Sequence, residues 1–450
     1  MPAQAESIDE LKALIQELDQ KVRILERKGE LEKEATDAKA KETPRITVGN
    51  NGLSVSSADT NFVFQLHGLV QLDNRTYFSE GHTAGADSFL LRRARPIFQG
   101  TLYRDFDFLF VPDFGGGATG SSAVAIQDAY LNYRYEPWLQ LRAGKFKVPV
   151  GLEQLQSDAV TYFNERALPT GLVPNRDLGI QLWGDVAGGT LSYAAGVFNG
   201  VGDGRSTSNS DFEDNREFAG RVFAQPFKNS DNTWLKGFGI GLGGSWGSSA
   251  VTNTTALPNG NGFVTDAQQQ FFAYNPSGAA VVADGDHWRL SPQGYYYRGP
   301  LGLMGEYVAS DQQVTRNAGP ITNTRPENTA WQITASWVLT GEDATFTGVT
   351  PRRPFNLHGG GWGALQAVGR YGQLDIDKKA FPLFSNPATS ASQASVWSAG
   401  LNWYLNRNLT VKGNYSYTTF EGGGGSGSSA PAAVTRQPEQ VFSTRFQLAF

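Results

Sequence analysis

Residues 441–450 read V-F-S-T-R-F-Q-L-A-F. Phe442, Phe446, Leu448 and Phe450 share one parity, with Thr444 between them, and Ser443, Arg445 and Gln447 share the other. Successive side chains of a strand point to opposite faces, so the alternation predicts a strand with one apolar and one polar face. A strand at the end of a chain needs a partner, and pairing with the first strand closes a barrel and removes both edges. Apolar outside with polar inside is the pattern of a membrane barrel. A terminal strand of a soluble sandwich reads the same way, so the remainder of the chain decides.

The chain has 450 residues, of which 40% are hydrophobic, with 53 Gly and no Cys. That length alone allows two or three soluble domains. Nowhere do 18 apolar residues run together, which excludes a transmembrane helix but leaves a barrel open, because a barrel spreads its signal over many alternating segments. The absence of Cys excludes a disulfide framework and a Cys-based metal site. Ala3-Gln4-Ala5 resembles the tail of an export cleavage site, with Met1 standing in for a removed signal. Of the net charge of −5, residues 1–42 carry −3, which leaves −2 for residues 43–450. Any ion preference of a near-neutral barrel must come from local placement of charge.

Upstream of the barrel, Ile8, Leu11, Ile15, Leu18, Val22 and Leu25 recur at spacings of 3, 4, 3, 4 and 3. This predicts a helix over Ser7–Lys28 with a coiled-coil seam, β-branched at a and Leu at d, which nominally favours two strands. A lone amphipathic helix of this length is held poorly in water. Gly29 ends the seam, and Lys33–Pro44 lacks an apolar face. The chain thus divides into a coiled-coil helix (1–32), a linker (33–49) and a barrel (50–450).

From Phe62 onward alternating segments repeat, about 16 in all. Connections alternate between short ones, such as Tyr103–Asp105, Glu136-Pro137, Ala187–Gly189, Gly299-Pro300 and Asn406-Arg407, and long ones, such as Asn199–Arg216, Ser248–Asp286, Asp311–Asn328 and Glu421–Glu439. Short turns on one rim and long loops on the other are the organisation of a bacterial outer-membrane barrel, and a soluble sandwich has no reason for it. Gly341–Gly360 departs from the rule, being long where a short turn is due. The fold class is therefore all-β, a 16-stranded antiparallel transmembrane barrel wide enough for an aqueous channel, preceded by the helix. Glu421–Ser429 is Gly/Ser-rich and reads as a mobile outer loop. Lys147–Asp177 is long but carries Leu152, Leu155, Val160, Tyr162, Phe163, Leu168, Leu172 and Val173. So many apolar anchors predict that residues 147–177 fold inward, pack on the barrel wall and narrow the pore; a folded outer lid is the alternative.

Several stretches resemble the porin O and P family, the phosphate-selective porins of Gram-negative outer membranes. Leu91-Arg92-Arg93-Ala94 resembles the start of that family's second strand, and Tyr103-Arg104-Asp105 its following turn. Residues 144–153, G-K-F-K-V-P-V-G-L-E, resemble the segment leading into its constriction loop. Trp337–Glu342 and Asn402-Trp403-Tyr404 match late in the chain, so the resemblance runs from about Asn50 to Phe450. It implies a trimeric barrel with an anion-selective pore, and hence a trimeric rather than dimeric stalk at a periplasmic N-terminus. It also has departures: Leu69 and Gln154 stand where the family has Arg and Lys, Gln127 where it has Asp beside the retained Asp128, and Asp107 where it has Lys. These remove residues that give the family's phosphate site its tightness.

An anion-selective pore needs fixed cations at its narrow part, and Arg suits oxyanions through its planar, permanently charged fork. With Phe98 and Gly100 facing lipid, Arg93, Arg95 and Gln99 face the lumen. Arg92 has lipid-facing parity but lies at the strand end. The resemblance assigns Arg92 and Arg93 to the constriction and matches Arg142 to a pore lysine. Leu139, Leu141 and Ala143 face out, so Gln140 and Arg142 face in. Lys145 and Lys147 sit where the wall enters the loop, and Arg166 and Arg176 lie on it. The candidate anion-binding residues are thus Arg92, Arg93, Arg95, Arg142, Lys145, Lys147, Arg166 and Arg176, although a solvated lumen face would explain the same charges.

The expected function is an outer-membrane porin for small anionic solutes, seated in outer-membrane lipid as a homotrimer. The alternative is a non-selective diffusion porin whose coiled coil also tethers it to peptidoglycan or another periplasmic partner, through the basic flank Lys21–Lys28. His67, His82, His287 and His358 lie in no nucleophile or metal-spacing motif, so an enzyme is not expected. No cofactor and no nucleic-acid partner is expected.

Overall fold

The computed structural model describes residues 6–78, 85–117, 124–207, 215–249, 257, 262–274, 281–316, 322–425 and 434–450. Ala3–Ala5, His82 and residues 426–433 of the Gly/Ser-rich loop lie outside the described residues.

Sixteen strands form one antiparallel barrel: β1 (Phe62–Tyr77), β2 (Ser88–Leu102), β3 (Phe106–Asp113), β4 (Ala125–Glu136), β5 (Leu139–Lys147), β6 (Arg176–Val186), β7 (Leu191–Phe198), β8 (Glu217–Ala224), β9 (Phe238–Ser249), β10 (Val281–Arg298), β11 (Leu301–Arg316), β12 (Glu327–Val338), β13 (Ala364–Asp375), β14 (Ala391–Tyr404), β15 (Leu409–Gly422) and β16 (Glu439–Ala449). Each pairs with its neighbours in sequence, and β16 pairs with β1 over Val441↔Tyr77 to Ala449↔Leu69. Phe450 completes the seam by exchanging backbone hydrogen bonds with Gly68 at 2.9 and 3.0 Å. A side chain at Gly68 would strike the Phe450 ring, because its Cβ would lie 2.7 Å from ring carbons. Beyond this point a hairpin (Arg45–Gly49 and Gly52–Ser56) continues the pairing along the start of β1, with Leu53↔Leu66.

The barrel is inverted relative to a soluble core. Val70, Leu72, Phe442 and Phe446 on the two seam strands are exposed, whereas Gln71, Asp73, Arg445 and Gln447 are buried in the lumen. Exposed aromatic residues such as Tyr103, Tyr135, Trp138, Trp234 and Trp362 stand at or near the turns of the rim that carries both the hairpin and Phe450. An apolar outer band edged with aromatic rings matches a lipid bilayer and its interface.

Two boundaries differ from the sequence expectation. The helix α1 runs Glu6–Glu42 through Gly29 and through most of the stretch predicted as a linker, and Arg45–Gly49 is a strand. A single interior Gly costs a helix only about 1 kcal/mol relative to Ala, and the Glu, Lys and Ala that follow are strong helix formers. The absence of an apolar face removes a reason to pack, not a reason to be helical. Leu11, Ile15, Leu18, Val22 and Leu25 are all exposed on the single chain. Secondly, β10 and β11 pair as far as Val281↔Arg316, past an irregularity between Ala283 and His287, so this hairpin extends further than His287–Ser310.

Three connections turn into the barrel. The inner loop between β5 and β6 crosses the lumen and hydrogen-bonds strands on the far wall. Asn402 Nδ2 of β14 donates to the Tyr162 carbonyl at 2.8 Å, Asn414 Oδ1 of β15 accepts from Asn164 N at 2.9 Å, and Gln447 Nε2 of β16 donates to the Ala159 carbonyl at 2.8 Å. Leu152, Phe163, Leu168, Leu172 and Val173 are buried along it. On β9, Gly243 gives the loop backbone room, since a Cβ there would lie 2.1 Å from the Val150 carbonyl oxygen.

Inside the connection between β9 and β10, a short hairpin (Gly262–Val264 and Gln270–Ala273) packs Phe263, Phe271 and Phe272 against Leu168, Leu172 and Phe420. The sequence reads this stretch only as a long outer loop. From the opposite rim, the long turn between β12 and β13 reaches up beneath the inner loop. The Phe346 ring stacks on Tyr295 at 5.3 Å, and its carbonyl accepts from Gln156 Nε2 at 2.7 Å.

Candidate functional site

The barrel wall and the inner loop meet at a cluster of arginines. The register of β1 on β2 shifts between Gln71↔Arg93 and Leu72↔Leu91, so Arg92 is the extra residue of a β-bulge. A bulge resets the alternation of facing directions, and both Arg92 and Arg93 enter the lumen. Strict parity would send Arg92 to lipid.

Two carboxylates of the inner loop gather the cluster. Glu165 accepts from Arg92 Nε at 2.6 Å and Nη2 at 3.0 Å. It also lies 3.2 Å from Arg75 and 3.6 Å from Arg445. Asp158 lies 2.6 Å from Arg166, 3.5 Å from Arg93 and 3.8 Å from Arg176, and it also pairs with Arg95. Further acids sit on the wall: Asp113 with Arg95 at 2.7 Å, Asp128 with Arg176 at 3.1 Å, and Asp73 with Arg445 at 2.6 Å. Burial raises the pKa of Asp158, but the charges of Arg166, Arg93 and Arg95 outweigh it and hold the carboxyl well below the ordinary carboxylate range. Burial likewise opposes ionisation of Glu165, and Arg92 above all reverses it, again to well below the ordinary range.

The remaining candidates are placed differently. Lys147 donates to the Gln156 carbonyl at 2.6 Å and Arg166 to the Glu153 and Gln156 carbonyls at 3.0 and 2.8 Å, so both hold the inner loop's own backbone. Lys145 has the parity opposite to Arg142 and Phe146, and its ammonium donates to the Thr207 carbonyl, in the connection after β7, at 2.8 Å. It is tied to a loop rather than standing free in the channel. Arg142 has no carboxylate partner among the described residues. Its guanidinium lies over the rings of Tyr130 and Trp183, at 4.4 and 4.8 Å from their centroids, with Phe146 at 5.5 Å.

Two cavities lie on either side of the inner loop. On the long-loop side a space of about 270 Å³ is bounded by Arg92, Arg93, Arg166, Glu165 and the inserted hairpin. On the short-turn side a space of about 390 Å³ lies along β3 to β8, with Arg142, Arg221, Tyr130 and Trp183 in its wall. The opposite side of the lumen is filled by Leu152, Tyr162, Phe163, Met304 and Val368, with Phe346 against them. The open space below the inner loop is thus set against the β3–β8 wall.

The positions that depart from the resembled family are accounted for in place. Leu69 is buried. Gln154 donates to Asn175. Gln127 donates to Asp113 at 3.5 Å. Asp107 pairs with Arg134 at 3.1 Å, near the short-turn rim. Among the described residues no group of three or more His, Cys, Asp or Glu is placed to hold a metal ion.

Sequence reasoning does not single out Arg75, Arg221, Arg445, Asp158 or Glu165 as site residues. Lumen parity could have flagged the first three, since Arg75 follows Gln71 and Asp73, Arg221 alternates with the exposed Phe218 and Val222, and Arg445 lies on the polar face of β16. No sequence signal pairs Asp158 or Glu165 with the wall.

A family model described as phosphate-selective porin O and P matches residues 64–450. Comparison with curated proteins found no match. Among solved structures, the outer membrane channel DcaP of Acinetobacter baumannii is similar at TM-score 0.55 and 10% identity, over 87% of this chain and 98% of that one. The anion-selective porin from Comamonas acidovorans is similar at TM-score 0.51 and 15% identity, over 86% and 100%. The trimer form of OmpT from Vibrio cholerae is similar at TM-score 0.51 and 10% identity, over 86% and 99%. At such identities the likeness concerns the fold.

Proposed function

Because the chain belongs to the phosphate-selective porin O and P family, we propose that it is a passive outer-membrane diffusion channel that prefers anions. One observation carries the preference. Around the inner loop eight arginines (Arg75, Arg92, Arg93, Arg95, Arg166, Arg176, Arg370 and Arg445) share seven carboxylates (Asp73, Asp113, Asp128, Glu153, Asp158, Glu165 and Asp266) in ion pairs. The excess is positive where the inner loop crosses the lumen, and below it Arg142 adds a cation with no carboxylate partner among the described residues. Fixed charge at a constriction biases ion passage even when the whole barrel is near neutral.

The same observation weakens the case for a tight phosphate site. The Arg92 fork is already occupied by a carboxylate in the bidentate manner in which it would hold an oxyanion. With Leu69 and Gln154 in place of the family's cations, a modest general preference for anions fits better than high-affinity phosphate binding. The alternative, a non-selective diffusion channel, draws on the same occupied fork.

The working form is a homotrimer, supported by the trimer form of the OmpT neighbour. The exposed heptad seam of α1 supports the same reading, since three copies would bury it. The rim carrying the N-terminal hairpin has the short turns, which supports reading α1 as a periplasmic stalk.

The test is the reversal potential of the trimer in a planar bilayer under a potassium chloride gradient, followed by phosphate titration. An anion-selective potential supports the proposal, and phosphate block of the chloride current would restore a tight phosphate site. A cation-selective or near-zero potential overturns the anion preference.

A further inference from the structure

We propose that the cavity beneath the inner loop is a binding station for flat, apolar monocarboxylates of the benzoate class. The inference rests on the anion-channel reading above and names a substrate class for it. The cavity, about 390 Å³, falls in the range of small-molecule sites. Its two arginines differ from those of the cluster above in having no carboxylate within ion-pair distance among the described residues.

The positions of these two arginines follow from the wall. Arg142 lies on β5 and Arg221 on β8, both with lumen parity, so three strand spacings, about 14 Å, separate them along the wall. Arg221 is aimed by its Nε, which donates to Gln293 Oε1 at 2.9 Å, and its guanidinium lies 4.5 Å from the Phe223 ring centroid. Arg142 is flanked by Tyr130, Trp183 and Phe146, and its Nε is buried without a hydrogen-bond partner. Among the described residues no carboxylate pairs with either guanidinium, which leaves their Nη groups for an anion.

The rest of the lining selects which anion. Leu109, Pro149 and Leu155 make the wall apolar, which favours an organic body over a strongly hydrated ion. Asp128 and Asp185 also border the space. Asp128 is paired with Arg176, and Lys147 also borders the space. Asp185 has no cation partner among the described residues, and it repels a second negative charge, which favours a monoanion over a phosphate dianion. A carboxylate head takes a guanidinium edge, and a flat ring extends the stack that Tyr130 and Trp183 begin.

The experiment is block of chloride current through the full-length trimer by potassium benzoate, compared with acetate and phosphate at equal ionic strength. Benzoate is expected to half-block at about fivefold lower concentration than acetate, the scale of one aromatic contact. Arg142→Lys keeps the charge but loses the planar face, and is expected to bring benzoate and acetate level. Trp183→Leu is expected to move the benzoate value in the same direction. Each variant is checked for heat-modifiable trimer on gels before recording. If benzoate blocks no better than acetate in the native protein, or equally well in Arg142→Lys, this proposal fails while the channel reading stands. A cation-selective reversal potential in the native protein removes both.

Discussion

Arg92 Nε and Nη2 clasp the two oxygens of Glu165 at 2.6 and 3.0 Å, so a wall arginine meets a carboxylate from the loop that crosses its own lumen. Glu165 thereby occupies the fork that a passing oxyanion would use. Glu165→Gln keeps the shape and removes the charge. Deleting one charge at about 4 Å changes an ion's energy by roughly 1 kcal/mol in water-like surroundings, about fivefold in favour of chloride and about fivefold against potassium, so the chloride-to-potassium permeability ratio is expected to rise by about 25-fold. The check is the reversal potential under a salt gradient. An unchanged ratio would mean that ions do not pass this face of the loop.

Asp158 and Glu165 both titrate below their ordinary values because arginine charges outweigh burial. The stabilisation from these contacts is complete above about pH 4, where the unfolded carboxyls are ionised, and is lost only as the pH falls through the lowered folded values. Single-channel conductance is expected to keep the contribution of Asp158 and Glu165 unchanged from pH 8 to about pH 4. In more acid solution it should become noisy or rise as the inner loop undocks. An acid response below about pH 4 that is the same in Glu165→Gln would contradict this assignment.

At the seam, Arg445 and Asp73 face each other in register and form a two-point ion pair at 2.6 and 2.7 Å. Both side chains are almost fully buried. Arg445→Met or Asp73→Leu alone strands a buried charge, expected to cost about 3–5 kcal/mol, whereas the double variant should cost less than either single change. Denaturant unfolding in detergent measures all three. A double variant as damaged as the sum of the singles would show that the pair does not act as a unit.

The turn between β12 and β13 props the inner loop from below, through Phe346 against Tyr295 and the Phe346 carbonyl on Gln156. Removing residues 345–349 takes away no charged residue. Conductance is therefore expected to rise with little change in anion preference. Unaltered conductance, with the barrel intact on gels, would show that this turn does not narrow the path.

The barrel was legible because each of its instructions is local. A period of two decides which face meets lipid, and the same parity that sends Phe442 and Phe446 outward sends Arg445 inward to Asp73. Short turns such as Glu136-Pro137 leave no choice but antiparallel neighbours. The heptads of α1 announced a helix, although not its end, because Gly29 and the charged stretch after it signal the loss of a packing face rather than the loss of helical backbone.

What passes through the barrel depends on contacts between residues remote in sequence. Arg92 enters the lumen through a bulge that strict alternation cannot register. Asp158 and Glu165 look like ordinary loop acids until the chain folds back 73 residues to set Glu165 on Arg92. Parity told which side of the wall Arg142 would occupy, but not that rings rather than a carboxylate would surround it. The amino-acid sequence by itself determined a closed strand barrel, because alternation and turn length act between neighbours. Only the tertiary structure decided which cations in it are neutralised, because charge pairing falls off over a few ångströms and those distances arise when the inner loop crosses the lumen.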